Sequence, residues 1–230
     1  MIAIDSVSKT YHAGTQEVEA LRSVSLRIED GDFLALAGPS GSGKTTLLNL
    51  IGCLDSITSG EITLDGTALA ALGQRERNLT RQRKIGFIFQ SYNLIPVLSA
   101  RENVALALQL FRDVTDREAL DRADKALEEV GLAGLGDRRP LELSGGQQQR
   151  VSVARALVKR PPVILADEPT ANLDSKTGEA ILALMEELNR SHGTTFVFST
   201  HDQMVMSHAR RLVRLHDGEI VSDENVGGKP

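Results

Sequence analysis

Gly38-Pro39-Ser40-Gly41-Ser42-Gly43-Lys44-Thr45-Thr46 sets glycines, hydroxyls and one lysine at a spacing that fits G-x-x-x-x-G-K-[ST]. Glycines at such intervals let backbone N–H groups turn inward and cradle phosphate oxygens. The apolar run Phe33–Ala37 before the loop reads as a buried strand, and Leu47–Ile51 after it reads as the start of a helix. Strand, loop and helix in that order add the positive end of a helix dipole to the cradle. In this setting Lys44 reaches β- and γ-phosphates, and the Thr45 hydroxyl holds Mg²⁺.

A phosphate cradle needs a second metal ligand and a group that activates water. Val163-Ile164-Leu165-Ala166-Asp167-Glu168 runs an apolar strand into two carboxylates. Ligands meet the C-terminal ends of strands in open α/β sheets, so Asp167 is placed to hold Mg²⁺, directly or through water. Glu168 is placed to orient or deprotonate an attacking water. Leu143-Ser144-Gly145-Gly146-Gln147 offers another anion-receptive feature. Ser144 reads as an N-cap, Gln147 opens a helix, and Gly145 and Gly146 allow close backbone approach.

These groups must be held by a core. The chain has 230 residues, 41% of them hydrophobic and 25% charged, which suits one large globular domain. A net charge of −5, 3% aromatics and no Trp argue against nucleic acid as a partner. The single Cys53 lies in an apolar helix end and reads as a buried structural residue; no intrachain disulfide is possible. No apolar run approaches the roughly 18–20 residues that cross a bilayer, and the N-terminus lacks the pattern of a signal peptide. The expectation is a chain that stays where it is made and forms no membrane pathway itself.

Alternating segments in residues 1–36, such as Val24–Ile28, read as antiparallel strands, and Ile62–Leu64 adds another ending in an Asp-Gly turn. Lys84–Phe89 reads as a core strand broken at Gln90. Ser99–Glu102 and Thr115–Glu118 fit capping boxes, and Leu120, Ala123, Leu127 and Val130 follow at helical spacing. Strands return at Val163–Ala166 and Thr195–Phe198, around a helix with Ile181, Leu182, Leu184, Met185 and Leu188 on its apolar face, closed by Gly193. Arg211–Leu215 and Glu219–Val221 flank an Asp217-Gly218 turn as a hairpin, and the tail 225–230 reads as disordered. The fold class predicted is α/β: a P-loop NTPase (RecA-like) core with an antiparallel β subdomain and an inserted α-helical subdomain. Residues 1–91 and 161–230 form the core with its β subdomain, and residues 92–160 form the helical subdomain carrying Ser144.

Leu143–Gln147 matches the signature sequence of the ABC superfamily. With the P-loop and Asp167-Glu168, it makes nearly the whole chain resemble the ATP-binding subunit of an ABC transporter. The resemblance implies roles that spacing alone does not give. Tyr11 would stack on adenine, Gln90 would sense Mg²⁺ and the γ-phosphate, Asn172-Leu173-Asp174 would form the D-loop, and His201 would be the switch histidine. It further implies a head-to-tail homodimer with two ATP molecules, each enclosed by the P-loop of one chain and Ser144–Gly146 of the other. Gln147 and Asp174 are carried over as nucleotide-site residues, and the set as a whole implies an active ATPase.

A subgroup is also suggested. Gly52–Asp55, Gly86–Gln90, Asn93–Pro96, Glu102–Val104 and Leu165–Asp174 are similar to macrolide-exporter and lipoprotein-releasing ATPases. In that group a peripheral ATPase works on a separate integral membrane permease at the cytoplasmic face of the plasma membrane, sometimes by mechanical transmission. Residues 91–104, with Tyr92, Leu94, Ile95, Pro96, Val97 and Leu98, are the candidate permease contact. Cell-division ATPases of the FtsE type share much of the pattern and form the alternative. ABC proteins acting on ribosomes or DNA usually carry paired ATP domains or a long coiled coil, and this sequence shows neither.

Overall fold

The computed structural model describes residues 1–14, 16–109, 111 and 113–227, with Ala13 and Gln16 described by backbone alone. Gly228, Lys229 and Pro230, part of the tail expected to be disordered, lie outside the described residues. The first elements are β1 (Ile2–Ala13), β2 (Gln16–Ile28), β3 (Phe33–Ala37), α1 (Lys44–Ile51), β4 (Ser59–Leu64), β5 (Thr67–Ala68), α2 (Gln74–Lys84) and β6 (Ile85–Ile88). They are followed by α3 (Ala100–Gln109), α4 (Asp116–Glu129), α5 (Gly145–Leu157), β7 (Val163–Asp167) and α6 (Ser175–His192). The chain closes with β8 (Thr195–Thr200), α7 (Gln203–His208), β9 (Arg211–His216) and β10 (Glu219–Asn225). Two compact units emerge: Met1–Arg81 with Thr195–Pro230, and Gln82–Thr194.

In the first unit, β3 pairs in parallel with β8 and with β9, and β10 closes antiparallel on β9. All five residues of β3 and all six of β8 are buried. Such unbroken burial is what parallel strands covered on both faces require. Phe33 packs edge-on against Phe198 with centroids 4.7 Å apart, and Phe196 stacks on Phe198 at 5.9 Å. A separate antiparallel sheet runs β2-β1-β4-β5. β1 pairs with β2 from Ile2↔Ile28 to Ala13↔Gln16, but with β4 only from Ile2↔Leu64 to Ser8↔Ser59. Beyond Ser8 the ribbon is therefore two-stranded.

In the second unit, β6 pairs in parallel with β7, beside helices α3 to α6. The Ser99 box forms, with Ser99 N–H donating to Glu102 at 2.7 Å and Glu102 N–H to Ser99 Oγ at 3.2 Å. At Thr115 the cap forms from Glu118 N–H, while the Glu118 carboxylate pairs with Arg122 at 3.8 Å. Burial of Ala119, Ala123, Ala126 and Leu127 turns the apolar stripe of α4 by one position, so Leu120 stays 38% exposed against the expectation. The sequence reading also lacked α2 and the short α7; no residue of α2 is buried, and Lys84, expected in a strand, ends it. Its Gln, Arg and Glu residues favour helix without an apolar stripe, and Gly73 N–H caps onto Glu76 at 2.9 Å. The α/β class with an antiparallel sheet and a helical segment holds.

Candidate functional site

In the first unit β3 delivers the glycine loop to α1. Gly43 is the N-cap at φ 100°, ψ 0°, and a Cβ there would lie 2.6 Å from the Ala20 carbonyl oxygen. Only glycine fits both the left-handed backbone and that approach. Lys44 is buried, and its ammonium donates to the carbonyls of Gly38 and Pro39, each at 2.8 Å. The lysine thus curls the loop around its own head group. The Ser42 hydroxyl is buried with no hydrogen-bond partner. An orphaned hydroxyl and a helix start inside such a ring fit a bound polyphosphate. Thr45 is exposed and Thr46 half-buried on the first turn of α1, with Pro39, Ser40 and Gly41 on the open side.

Tyr11 lies on β1 with its ring 38% exposed and donates its hydroxyl to Asp55 Oδ2 at 2.8 Å. His201 is exposed immediately after β8. It is followed by Asp202, which caps α7 by accepting Met204 N–H at 2.9 Å and so fixes where the strand ends. Cys53 is buried as expected; burial pushes its thiol above the ordinary range, against the pull of Arg81 and Arg77.

In the second unit Asp167 ends β7 and Glu168 follows with φ 46°. A left-handed glutamate is uncommon. It turns the chain sharply, and Ala171 N–H closes the turn on Glu168 O at 3.2 Å. Both carboxyl residues are half-buried. Ser144 is the N-cap of α5 in a full capping box: Gln147 N–H donates to Ser144 Oγ at 3.3 Å, and Ser144 N–H to Gln147 Oε1 at 2.9 Å. Gln147 therefore shapes the helix start. Asp174 likewise caps α6, accepting Thr177 N–H at 3.0 Å and the Thr177 hydroxyl at 2.6 Å. The Thr177 hydroxyl, then the helix N–H groups, hold Asp174 below the usual carboxylate range.

Gln90 is exposed at the end of β6, and its carbonyl accepts from Asn172 Nδ2 at 2.8 Å. That bond joins the Gln90 loop to the segment before Asp174. Tyr92 and Asn93 follow with φ 59° and 49°, and Arg155 of α5 donates to both their carbonyls at 2.6 and 2.5 Å. Burial pulls the Arg155 guanidinium below its ordinary range. Gln149, fully buried on the same helix, donates to the Pro169 carbonyl at 2.6 Å. Sequence reasoning missed Arg155 and Gln149. Arg155, a charged residue within the apolar run Val153–Leu157, gave a signal; Gln149, inside Gln147–Arg150, gave none.

Asn103 was also unassigned. It is fully buried: its Oδ1 accepts Ile95 N–H at 2.7 Å, and its Nδ2 donates to the carbonyls of Ile95, Leu98 and Ser99 at 3.1, 3.1 and 2.9 Å. One amide thus pins the loop that presents Ile95, 37% exposed, and Val97, 73% exposed. Asn103→Ala is expected to lower stability by about 2–3 kcal/mol, because three carbonyls and one N–H lose their partner in the interior. Urea unfolding checks the loss, and faster amide exchange confined to residues 95–99 locates it.

These features can be compared with known proteins. A family profile described as "ABC transporter" matches residues 21–171. The chain is 47% identical to the ABC transporter ATP-binding protein MJ0796 of Methanocaldococcus jannaschii, over 99% of this chain and 98% of that protein. The chain belongs to the ABC transporter ATP-binding family. This cassette is also 46% identical to the macrolide export ATP-binding/permease protein MacB of Syntrophobacter fumaroxidans, over 99% of its own length but 32% of that longer protein. Its fold matches a dimeric post-hydrolysis structure of the MJ0796 cassette bound to ADP and phosphate, with TM-score 0.90, 45% identity and full coverage of both chains. The cassette binds ATP and is an ATPase of the ABC class. Among the described residues no helix is long and apolar enough to cross a membrane.

Proposed function

We propose that the cassette is the ATP-hydrolysing motor of an ABC transporter complex, acting as a head-to-tail homodimer on a separate integral membrane permease. The observation that carries this reading is the presence of two polyanion-receptive helix starts on one chain. One is α1 behind the glycine loop, and the other is α5 behind the Ser144 box. Each covers one side of a triphosphate, and a second copy supplies the complement. Gly38–Thr46 wrap the phosphates, Tyr11 stacks on the adenine, and Ser144–Gly146 with Gln147 close the site from the partner chain, beside the Asp174 turn. Thr45, Gln90 and Asp167 are the residues that would hold Mg²⁺, each offering a side-chain oxygen of the kind this hard cation takes. When bound, Mg²⁺ neutralises charge on the β- and γ-oxygens. Glu168 orients or deprotonates the attacking water, and His201 positions the γ-phosphate.

Residues 1–91 and 161–230 would serve as the nucleotide core with its β subdomain, and residues 92–160 as the helical arm. The likeness to macrolide export ATP-binding/permease sequences supports an export role; with it we propose export or extraction by mechanical transmission at the cytoplasmic face of the plasma membrane, with no nucleic-acid partner. The exposed Ile95 and Val97 support a permease contact on the 91–104 segment. The experiment is purification from detergent-solubilised membranes with a non-hydrolysable ATP analogue. A permease with a large extracytoplasmic domain should remain attached to the wild type. Val97→Asp should release it while leaving the cassette's ATP affinity unchanged. Recovery of a cell-division complex instead would make the cassette a regulator, and loss of ATP affinity in the variant would mark the segment as core.

A further inference from the structure

The tip of the β1–β2 ribbon poses a physical problem. Tyr11 sits beyond Ser8, where β1 has lost β4 and pairs only with β2, as in Tyr11↔Val18. A two-stranded ribbon is marginally ordered by itself. A stacking ring on such a ribbon must be fixed before the base arrives, or ordering it weakens binding. The structure supplies a tether. Lys9 is buried to 8% exposure, and its ammonium donates to Asp55 Oδ1 at 2.8 Å and to the Ser56 carbonyl at 2.7 Å. The same ammonium lies 4.7 Å from the Tyr11 ring centroid, within cation–π range. Asp55 Oδ2 takes the Tyr11 hydroxyl at 2.8 Å, and Asp55 Oδ1 takes Ser56 N–H at 2.7 Å. Thr46, two residues after Lys44 on α1, acts on the Tyr11 phenol as well, pulling it down against burial and Asp55.

Nothing in the nucleotide chemistry requires a carboxylate at position 55 or an ammonium at position 9. Both residues converge on one aromatic ring and on the chain leaving α1. We propose that Lys9 and Asp55 are positioning residues: together they lock the Tyr11 ring to the phosphate-loop helix, holding a purine platform at a fixed distance from the triphosphate cradle. The proposal rests on the reading of Tyr11 as the base-stacking residue. The ionic state of the tether agrees. Burial raises the Asp55 carboxyl, but hydrogen bonds from Lys9, Ser56 and Tyr11 outweigh it and hold Asp55 below the usual range. Burial first, then the bond to Asp55, pushes the Tyr11 phenol up.

The test compares binding of ATP with binding of inorganic triphosphate, which carries the anion but no base. Lys9→Met and Asp55→Ala should raise the Kd for ATP about five- to tenfold, part of the stacking contribution, and leave the Kd for triphosphate unchanged. Tyr11→Phe, which keeps the ring and its Lys9 contact and loses only the hydroxyl bond to Asp55, should raise it less. Tyr11→Ala should raise it most. In a Tyr92→Phe background Tyr11 is the remaining tyrosine of the two in the chain, and Asp55→Ala should bring its ultraviolet phenol titration down toward the ordinary value. Should Asp55→Ala fold poorly, Asp55→Asn serves the same measurements. If Tyr11→Ala weakens ATP while Lys9→Met and the Asp55 variant bind it as the wild type does, the tether is refuted and the stacking reading stands. If Tyr11→Ala itself leaves ATP binding intact, the stacking reading falls and the tether with it. Equal losses for ATP and triphosphate would reduce Lys9 and Asp55 to general stability.

Discussion

Glu168→Gln should lower steady-state ATP turnover by at least about 10²-fold, the usual contribution of a positioned general base, and leave ATP affinity within about twofold. Glutamine keeps the volume of the side chain and one acceptor oxygen but cannot take a proton from water. The backbone argues that position 168 is built for this role. A left-handed conformation costs a non-glycine residue about 1–2 kcal/mol, yet the residue after β7 is Glu168 at φ 46°, where a glycine would avoid that cost. The turn closed by Ala171 N–H holds it there. The strain redirects the side chain away from the strand path that Asp167 follows. Rapid-quench turnover with the purified homodimer measures the loss. Size-exclusion chromatography in ATP should show the variant accumulating as the dimer, because the closed state forms and does not decay. Wild-type turnover in Glu168→Gln would remove the base role from this residue and direct attention to His201.

The parts of this cassette that sequence exposes are those set by local backbone chemistry. Gly43 had to be glycine because its φ and its neighbour Ala20 allow nothing else, and that demand leaves a fixed spacing to Lys44. The Ser144–Gln147 box is equally local, since an N-cap and its third residue satisfy each other's N–H groups. Arg155 and Asp55, which escaped reading, act over long sequence separations on partners with no signature of their own. Arg155 grips the carbonyl of Asn93, 62 positions away, and Asp55 anchors Tyr11, 44 positions away. A carbonyl exists at every residue, so no pattern in the sequence says which one a half-buried guanidinium will find. The miss at Leu120 has a different origin. Its position lies one helical step from Ala119, at the edge of the stripe, and small alanines let α4 pack closely with the larger leucine outside. The helix α2 carries no apolar periodicity to be read, because it buries nothing.

Gly146→Ala should be as damaging to turnover as the loss of the base, and for a reason that stability measurements will not reveal. A Cβ at position 146 would lie 2.4 Å from Thr177 Cγ2. Carbon atoms prefer about 3.5–4.0 Å, so the start of α5 or of α6 must shift by about 1 Å or more. Thr177 cannot rotate away cheaply. Its hydroxyl is held by Asp174 at 2.6 Å, and its N–H is part of the same cap. Alanine in the first turn otherwise favours the helix by up to about 1 kcal/mol, which offsets much of the packing cost in a melting curve. The displaced group is the anion-receptive start of α5, and a misplacement of about 1 Å in a catalytic constellation lowers rates about 10²-fold. Turnover and ATP-dependent dimerisation should therefore fall together, while ATP binding by the glycine loop of the isolated chain persists. Thr177→Ser deletes Cγ2 and keeps the hydroxyl for Asp174, so the double variant Gly146→Ala/Thr177→Ser should regain most of the lost turnover. Failure of that rescue would mean that the space at Gly146 is needed by the nucleotide itself, and not by the junction of two helix caps.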